Sequence, residues 1–553
     1  MRARIEAGVV HSPYPYCPPV HDTSFYGFLM ERLLTHGCKT ALICGHDKVT
    51  YLELRDKLRL CAAWYRRQGI GKGDRVYVHV DNSIESFVAV CGVPLTGATL
   101  VSSDCLWSEG EILDKIKMAA VTHVLTDENH AEMFTRIKKS CNIKDMFLVG
   151  QKKPGFTSVC EFNDEHQEPF DDKELLAGGS QFVGWTTGTT GAPKCVQWTE
   201  SLFLGSILGR AAVQLLTPKD VFLGDSNISC IWLFTIWLLA LHVGSTIVVS
   251  KACGTVPEDA IEAFKHCEKQ LLVFREQLAD NLPVKGNKRN KPKANSSVED
   301  LARASDGEQQ DALRAAVGAV TEYTEECSLE CTPEKSELLV LKKKSRRKST
   351  ALAEELVNTF KLDELRSGYG MAEGGGCLTT PPSGEVSGTN QGFPFSSTKM
   401  KVIDVDTGKV LGPLQRGELL FNTPYAPTCY CGDTEVADDR TDEHGWIHSG
   451  DLGYYDHDGR LFVCGRLKTL LECQRRKFPP SDIEHCLMDH EAVEEVSVLG
   501  MPFAELQQFP AAVVVTKSGF TRDQQLAEDL KRYVAGTSSF KYLLLNSMSP
   551  KVR

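Results

Sequence analysis

A chain of 553 residues is several times the usual domain length of ~150 residues, so it has room for a large core and more than one folded unit. Apolar residues at 42% and charged residues at 24% are ordinary globular usage, and 45 glycines with 24 prolines show no collagen-like or low-complexity bias. With 62 Lys+Arg against 73 Asp+Glu the net charge is −11, which disfavours a general nucleic-acid binder held by phosphate contacts and favours small-molecule chemistry.

No apolar signal segment follows the opening Met-Arg-Ala-Arg, so the 20 cysteines are expected as reduced thiols and the chain as cytoplasmic, with a peroxisomal place as the alternative although the given sequence does not end in Ser-Lys-Leu. Between residues 25 and 150, helical spacing alternates with β-branched runs. Phe28-Leu29 with Leu33-Leu34, and Leu52, Leu54 and Leu58, predict helix faces, while Val76 to Val80 predicts a strand. Such alternation argues for α/β layering. Residues 228–249 carry no charged side chain and are long enough to span a bilayer. His242-Val243-Gly244-Ser245 interrupts them, however, and predicts a buried helix, a glycine turn and a core strand instead. Residues 284–349 differ from the rest, with basic flanks at Lys285 to Lys293 and Lys342 to Lys348. They read as a solvated insertion, with a nucleic-acid tether as the alternative. Cys327/Cys331 and Cys429/Cys431 have no second pair at zinc-site spacing, which argues against structural zinc. Gly453 to Gly459 predicts a turn, and Pro510 to Val515 a core strand.

The most specific string runs Trp185-Thr-Thr-Gly-Thr-Thr-Gly-Ala-Pro-Lys194. Its glycines let the backbone approach phosphate oxygens, its hydroxyls and N–H groups donate to them, and its lysine adds a point charge. The spacing is not that of a P-loop kinase, and an ordinary surface turn is the plain alternative. Other strings accompany it: residues 49–54 (VTYLEL), 69–76 (GIGKGDRV), 367–373 (SGYGMAE), 417–418 (GE), 446–453 (WIHSGDLG) and 465–468 (GRLK).

In this order the strings resemble those of the adenylate-forming superfamily, which includes acyl-CoA synthetases, coumarate-CoA ligases and insect luciferases. The resemblance covers residues 20 to 280 and 350 to 553. It implies an α/β fold with a large multi-layer N-terminal AMP-binding domain (1–465) and a small mobile α+β C-terminal domain (466–553), hinged near Arg466 to Lys468. It also implies an ATP- and Mg²⁺-dependent ligase that converts a small carboxylic acid, fatty or aryl, into an acyl-adenylate and then a CoA thioester. Luciferin adenylation and oxidation, or a degenerate nucleotide-binding protein, are the alternatives.

By the same likeness Thr186, Thr187, Gly188, Thr189, Thr190 and Gly191 would cradle the β- and γ-phosphates beside Lys194. Tyr369 would stack on adenine, Glu373 would hold Mg²⁺, Asp451 and Arg466 would bind the ribose, and Lys551 would orient the carboxylate. Plain readings are a core tyrosine, a solvated glutamate and a surface salt bridge.

This sequence departs from the family pattern at several places. Ala372 stands where a threonine usually precedes the glutamate, and Gln474-Arg475 where Lys-Gly leaves room for the pantetheine arm. Asn227-Ile-Ser229-Cys230 stands where an acyl-pocket histidine is common. The C-terminal domain reads as shortened after Lys541. Between residues 272 and 350 neither the adenine-side strand nor its Gly-Gly-Ala-Pro loop is present. Residues 308–323 and 329–339 there resemble a fragment of a retroelement reverse transcriptase without its metal-binding acids.

Overall fold

The structure is a computed structural model. It describes residues 1–18, 20, 23–105, 107–163, 179–186, 194–224, 227–250, 366–385, 387, 390–427, 429–431, 440–473, 476–503, 507–521 and 523–536. The described residues fall into two compact units that meet in sequence between Lys468 and Thr469.

The larger unit is built on an eight-stranded sheet. Its spatial order is Cys429–Tyr430, Cys195–Thr199, Gln181–Trp185, Thr99–Val101, Arg75–His79, His123–Asp127, Asp145–Val149 and Thr157–Ser158. From Gln181–Trp185 to Thr157–Ser158 neighbours run parallel, whereas Cys195–Thr199 lies antiparallel to both of its neighbours. A four-stranded sheet pairs Val221–Gly224, Thr246–Val249 and Thr40–Cys44 in parallel and closes with Asp47–Thr50. A third, antiparallel sheet of six strands ends with Lys399–Ile403, Gly417–Asn422, Ile447–Tyr455 and Leu461–Arg466.

Local chemistry starts the helices. Thr50 and Glu53 form a reciprocal capping box at the head of Tyr51–Arg67, and Ser108 and Glu111 do the same for Glu109–Met118. Phe28, Leu29 and Leu33 are buried on Phe25–His36 as their spacing predicts, but Leu34 is 59% exposed, because it lies a further 100° round the helix from Leu33. The uncharged segment folds into helix Ile231–Val243, a left-handed Gly244 (φ 88°) and strand Thr246–Val249. Trp237 stacks on Phe87 within the core, at 5.3 Å between ring centroids. Among the described residues no helix is long and apolar enough to cross a membrane.

The turn expected from Gly453 begins later. Gly453 remains in the ladder, opposite Gly417 and Val463, and the chain reverses after Tyr455, where Asp456 and Arg460 exchange hydrogen bonds.

In the smaller unit Arg476–Phe478, Leu471–Cys473, Gln507–Thr516 and Val493–Phe503 form one antiparallel sheet, with helices Pro480–Met488 and Gln524–Gly536. The expected core strand near Val515 is half right. Val514 is partly buried against the cluster that contains Val498 and Leu487, whereas Val513 is 51% and Val515 44% exposed, because alternate side chains of a strand point to opposite faces.

Candidate active site

The strands Ile447–Tyr455 and Leu461–Arg466 are paired so that Asp451 stands directly opposite Arg466. Arg466 Nε donates to Asp451 Oδ1 at 2.9 Å, and the Tyr369 hydroxyl donates to Oδ2 at 2.5 Å. Asp451 is only 4% exposed, so this is a buried pair on the acid's side and not a surface bridge. Burial pushes its carboxyl up from the ordinary range, against the pull of Arg466 and of the tyrosine hydrogen bond. Burial and then the Asp451 charge hold the Tyr369 phenol well above its usual value. One face of Tyr369 stacks on Phe421, at 5.5 Å between centroids.

Glu373 sits on the short helical turn Ala372–Gly374, which ends at Gly375 in the left-handed region (φ 79°). A Cβ at Gly375 would collide with the Tyr425 carbonyl oxygen, so glycine is required there on two counts. Glu373 is 5% exposed, and its Oε1 accepts from Arg440 Nη1 at 2.7 Å. The charges of Glu373 and Arg440 are both felt at Asp451, which makes the five side chains one electrostatic cluster.

At the Thr/Gly string the strands Gln181–Trp185 and Cys195–Thr199 form a hairpin. Thr186 N donates to the Lys194 carbonyl at 3.0 Å, and Lys194 N donates to Thr186 Oγ1 at 2.9 Å, so these two residues close the neck of the loop. Thr187, Gly188, Thr189, Thr190, Gly191 and Lys551 lie outside the described residues, as do Gln474 and Arg475. Cys327, Cys331 and the atypical segment 284–349 do so too. Helix Glu200–Ala212 starts where the strand leaving the loop ends, and its buried Arg210 donates to the Gly375 carbonyl at 3.4 Å.

Sequence reasoning missed Arg440, which belongs to none of the recognisable strings. It also treated Asn227 and Ser229 only as substitutes for a pocket histidine. Both are buried staples between the two sheets: Asn227 Nδ2 donates to the Val80 carbonyl at 3.0 Å, Ser229 Oγ accepts from Val80 N at 2.9 Å, and Asn82 Oδ1 accepts from Ile228 N at 2.9 Å. The reading of all cysteines as thiols also fails at one place, because Cys195 and Cys431 are joined, with their Cα atoms 5.3 Å apart. Strand pairing brings them together. A separate cavity of about 740 Å³ is lined by Asp81, Asp127, Glu128 and Lys152, among others. Both Asp127 oxygens there already accept hydrogen bonds, from Asp81, Asn129 and His130.

The structure thus offers a buried aspartate beside an arginine, a buried glutamate on a second arginine, and a hairpin closed by Thr186 and Lys194. The AMP-binding enzyme family matches residues 30–431, and the AMP-binding enzyme C-terminal domain matches residues 482–542. Luciferin 4-monooxygenase of Photinus pyralis is 24% identical over 506 residues, 88% of this chain and 82% of the relative. 4-Coumarate–CoA ligase 3 of Oryza sativa subsp. japonica is 24% identical over 547 residues, 96% and 89% of the two chains. Among solved structures, ATP-bound MatB from Rhodopseudomonas palustris shares the fold with a TM-score of 0.68 at 19% identity, covering 93% of each chain. o-Succinylbenzoate CoA synthetase of Bacillus subtilis, solved with ATP and a magnesium ion, has a TM-score of 0.64 at 20% identity and covers 91% of each. The α/β fold with its large N-terminal and small C-terminal parts, the ordered motifs and the family match over most of its length agree, and the chain belongs to the AMP-binding enzyme family.

Proposed function

We propose that this protein uses ATP to convert a fatty or aryl carboxylic acid into its acyl-adenylate and then into a CoA thioester. The observation that carries the reading is the Tyr369–Asp451–Arg466 cluster with Glu373 and Arg440 in its field. Ionised Asp451 accepts from the ribose hydroxyls, Arg466 fixes that carboxylate, and the neck of Thr186 and Lys194 positions the phosphate loop. Lys551 orients the substrate carboxylate, and a hinge near Lys468 lets the C-terminal part exchange between the two half-reactions. In the first, a carboxylate oxygen bonds to the α-phosphorus and pyrophosphate leaves. In the second, the CoA thiolate bonds to the acyl carbon and AMP leaves. Negative charge gathers on the phosphoryl oxygens, so placing and neutralising it is the main task.

A carboxylate is a hard oxygen donor suited to Mg²⁺, which would neutralise phosphate charge when bound. Glu373 fits that role through Oε2, since Oε1 is held by Arg440. That tie, with Ala372 at the preceding position, favours one further reading: a protein that binds nucleotide with little turnover. We read residues 284–349 as a retroelement-derived insertion or a mis-joined exon, which transcript sequencing across codons 280–350 tests.

ATP–pyrophosphate exchange with a panel of fatty and aryl acids tests the main reading. Glu373→Gln should lower the exchange about a hundred- to a thousand-fold. Unchanged exchange would remove Glu373 from its role, and a thermal shift with Mg-ATP but no exchange for any acid would favour the binding-only reading. Light emission with luciferin and oxygen would instead place the chain with the luciferases.

A further inference from the structure

We propose that Cys195 and Cys431 are a reversible redox pair that anchors the strand leaving the Thr/Gly loop, with Cys431 the sulfur that an oxidant meets first. The residues lie 236 positions apart, yet the fold holds their Cα atoms 5.3 Å apart, within the range a disulfide spans. The backbone sets this spacing independently of the sulfurs: Val196 pairs with Tyr430 and Gln197 with Cys429, and Cys431 N donates to the Cys195 carbonyl at 2.8 Å. The reduced pair therefore stays in register and ready to close.

The two sulfurs are not equivalent. Cys195 is 2% exposed, whereas Cys431 is partly open. Arg75 Nη2 lies 3.4 Å from Cys431 Sγ, and its guanidinium is held there by the Gln197 side chain and the Ala119 carbonyl. A fixed cation beside a partly exposed sulfur favours the nucleophilic thiolate, and a buried neighbour serves as resolving thiol. With a peroxide, the Cys431 thiolate attacks one oxygen, the O–O bond breaks, and the departing hydroxide takes a proton to leave as water. The Cys195 sulfur then displaces hydroxide from the resulting sulfenic acid, its proton leaving with that hydroxide as a second water. Two thiols lose two electrons and the peroxide gains them. A dithiol reductant reverses the bond.

Cys195 directly follows Lys194, whose backbone closes the neck of the loop, so the bond ties the loop's exit to the 429–431 segment. The consequence for nucleotide rests on the reading of that loop as an ATP site; the chemistry of the pair does not.

The full-length protein is treated with hydrogen peroxide or dithiothreitol and alkylated, its peptides are weighed, and Mg-ATP binding is measured on both forms and on Cys431→Ser. Peroxide should form the 195–431 link before other thiols react, and dithiothreitol should break it in the folded chain. The reduced form should bind Mg-ATP about three- to ten-fold more weakly, because the strand that follows Lys194 is then held to the 429–431 segment by hydrogen bonds alone and part of the binding energy goes to keeping it in place. Cys431→Ser should sit at the reduced value and ignore peroxide. Free alkylation of both cysteines after peroxide, a link that dithiothreitol cannot break, or equal Mg-ATP affinity in both forms overturns the proposal. A link that cycles in a protein binding no Mg-ATP in either form supports the redox pair and overturns the nucleotide reading of the loop.

Discussion

Replacing Arg440 with methionine keeps most of its stem but removes the one cation that contacts Glu373 among the described residues, leaving a carboxylate that is 5% exposed. Stranding one member of a buried ion pair costs about 3–5 kcal/mol. The Arg440 side chain is itself 22% exposed, so water can partly reach the vacancy and the lower end, about 3 kcal/mol, is expected here. The converse change, Glu373→Gln, leaves a guanidinium with access to solvent and should cost about 1–2 kcal/mol. With both changes together, no unpaired charge is buried. The double variant should therefore be at least 1 kcal/mol more stable than the two single losses added, the scale of coupling seen for residues in contact. Urea unfolding followed by tryptophan fluorescence on all four proteins measures this cycle. Strict additivity would refute it and would mean that the 2.7 Å contact carries no energy.

Tyr369→Phe removes a hydrogen bond to ionised Asp451 and should cost about 1.5–3 kcal/mol. An unchanged midpoint of unfolding would show that the bond is idle. Burial, aided by the neighbouring His130 charge, lowers His79 to about 4, with Asp127 opposing and Ser103 bonded to its Nδ1. A histidine held neutral contributes stability above its unfolded value of about 6.5, and this is lost as pH falls from there toward 4. The loss should total about 3 kcal/mol over that window, and His79→Asn should flatten the curve. An identical pH profile for the variant would remove His79 as the cause. Thr50→Ala removes the hydroxyl that accepts from Glu53 N, leaving the backbone N–H of residue 50 on the Glu53 carboxylate, and should cost about 1 kcal/mol, read from the same urea curves. Gly375→Ala should lower stability and exchange activity together, since the added Cβ meets the Tyr425 carbonyl beside the Glu373 turn. Loss of neither would contradict the close packing.

Much of the fold is legible because it depends on neighbours in the chain. The Thr50–Glu53 and Ser108–Glu111 boxes close over three residues, and the change from helix to strand at Gly244 follows from local spacing and one left-handed residue. Side-chain alternation likewise governs the strands, although Val513 and Val515 show that it cannot say whether the second face is covered. The motif residues Tyr369, Asp451 and Arg466 could be named from their strings. That they touch depends on the register of Ile447–Tyr455 against Leu461–Arg466 and on the packing of Tyr369 over Phe421.

Other features belong to tertiary structure alone. Arg440 reaches Glu373 across 67 positions, Asn227 and Ser229 join two sheets through Val80, and Cys431 meets Cys195 through an edge strand. None of these pairs has a periodicity or spacing to announce it, since a long-range contact leaves no local signature in either partner. Local hydrogen bonds and side-chain periodicity determine where helices and strands begin. Which charges and sulfurs share a site is decided only when packed sheets bring distant segments together, because Coulomb attraction and covalent bonding act over a few ångströms and are indifferent to distance along the chain.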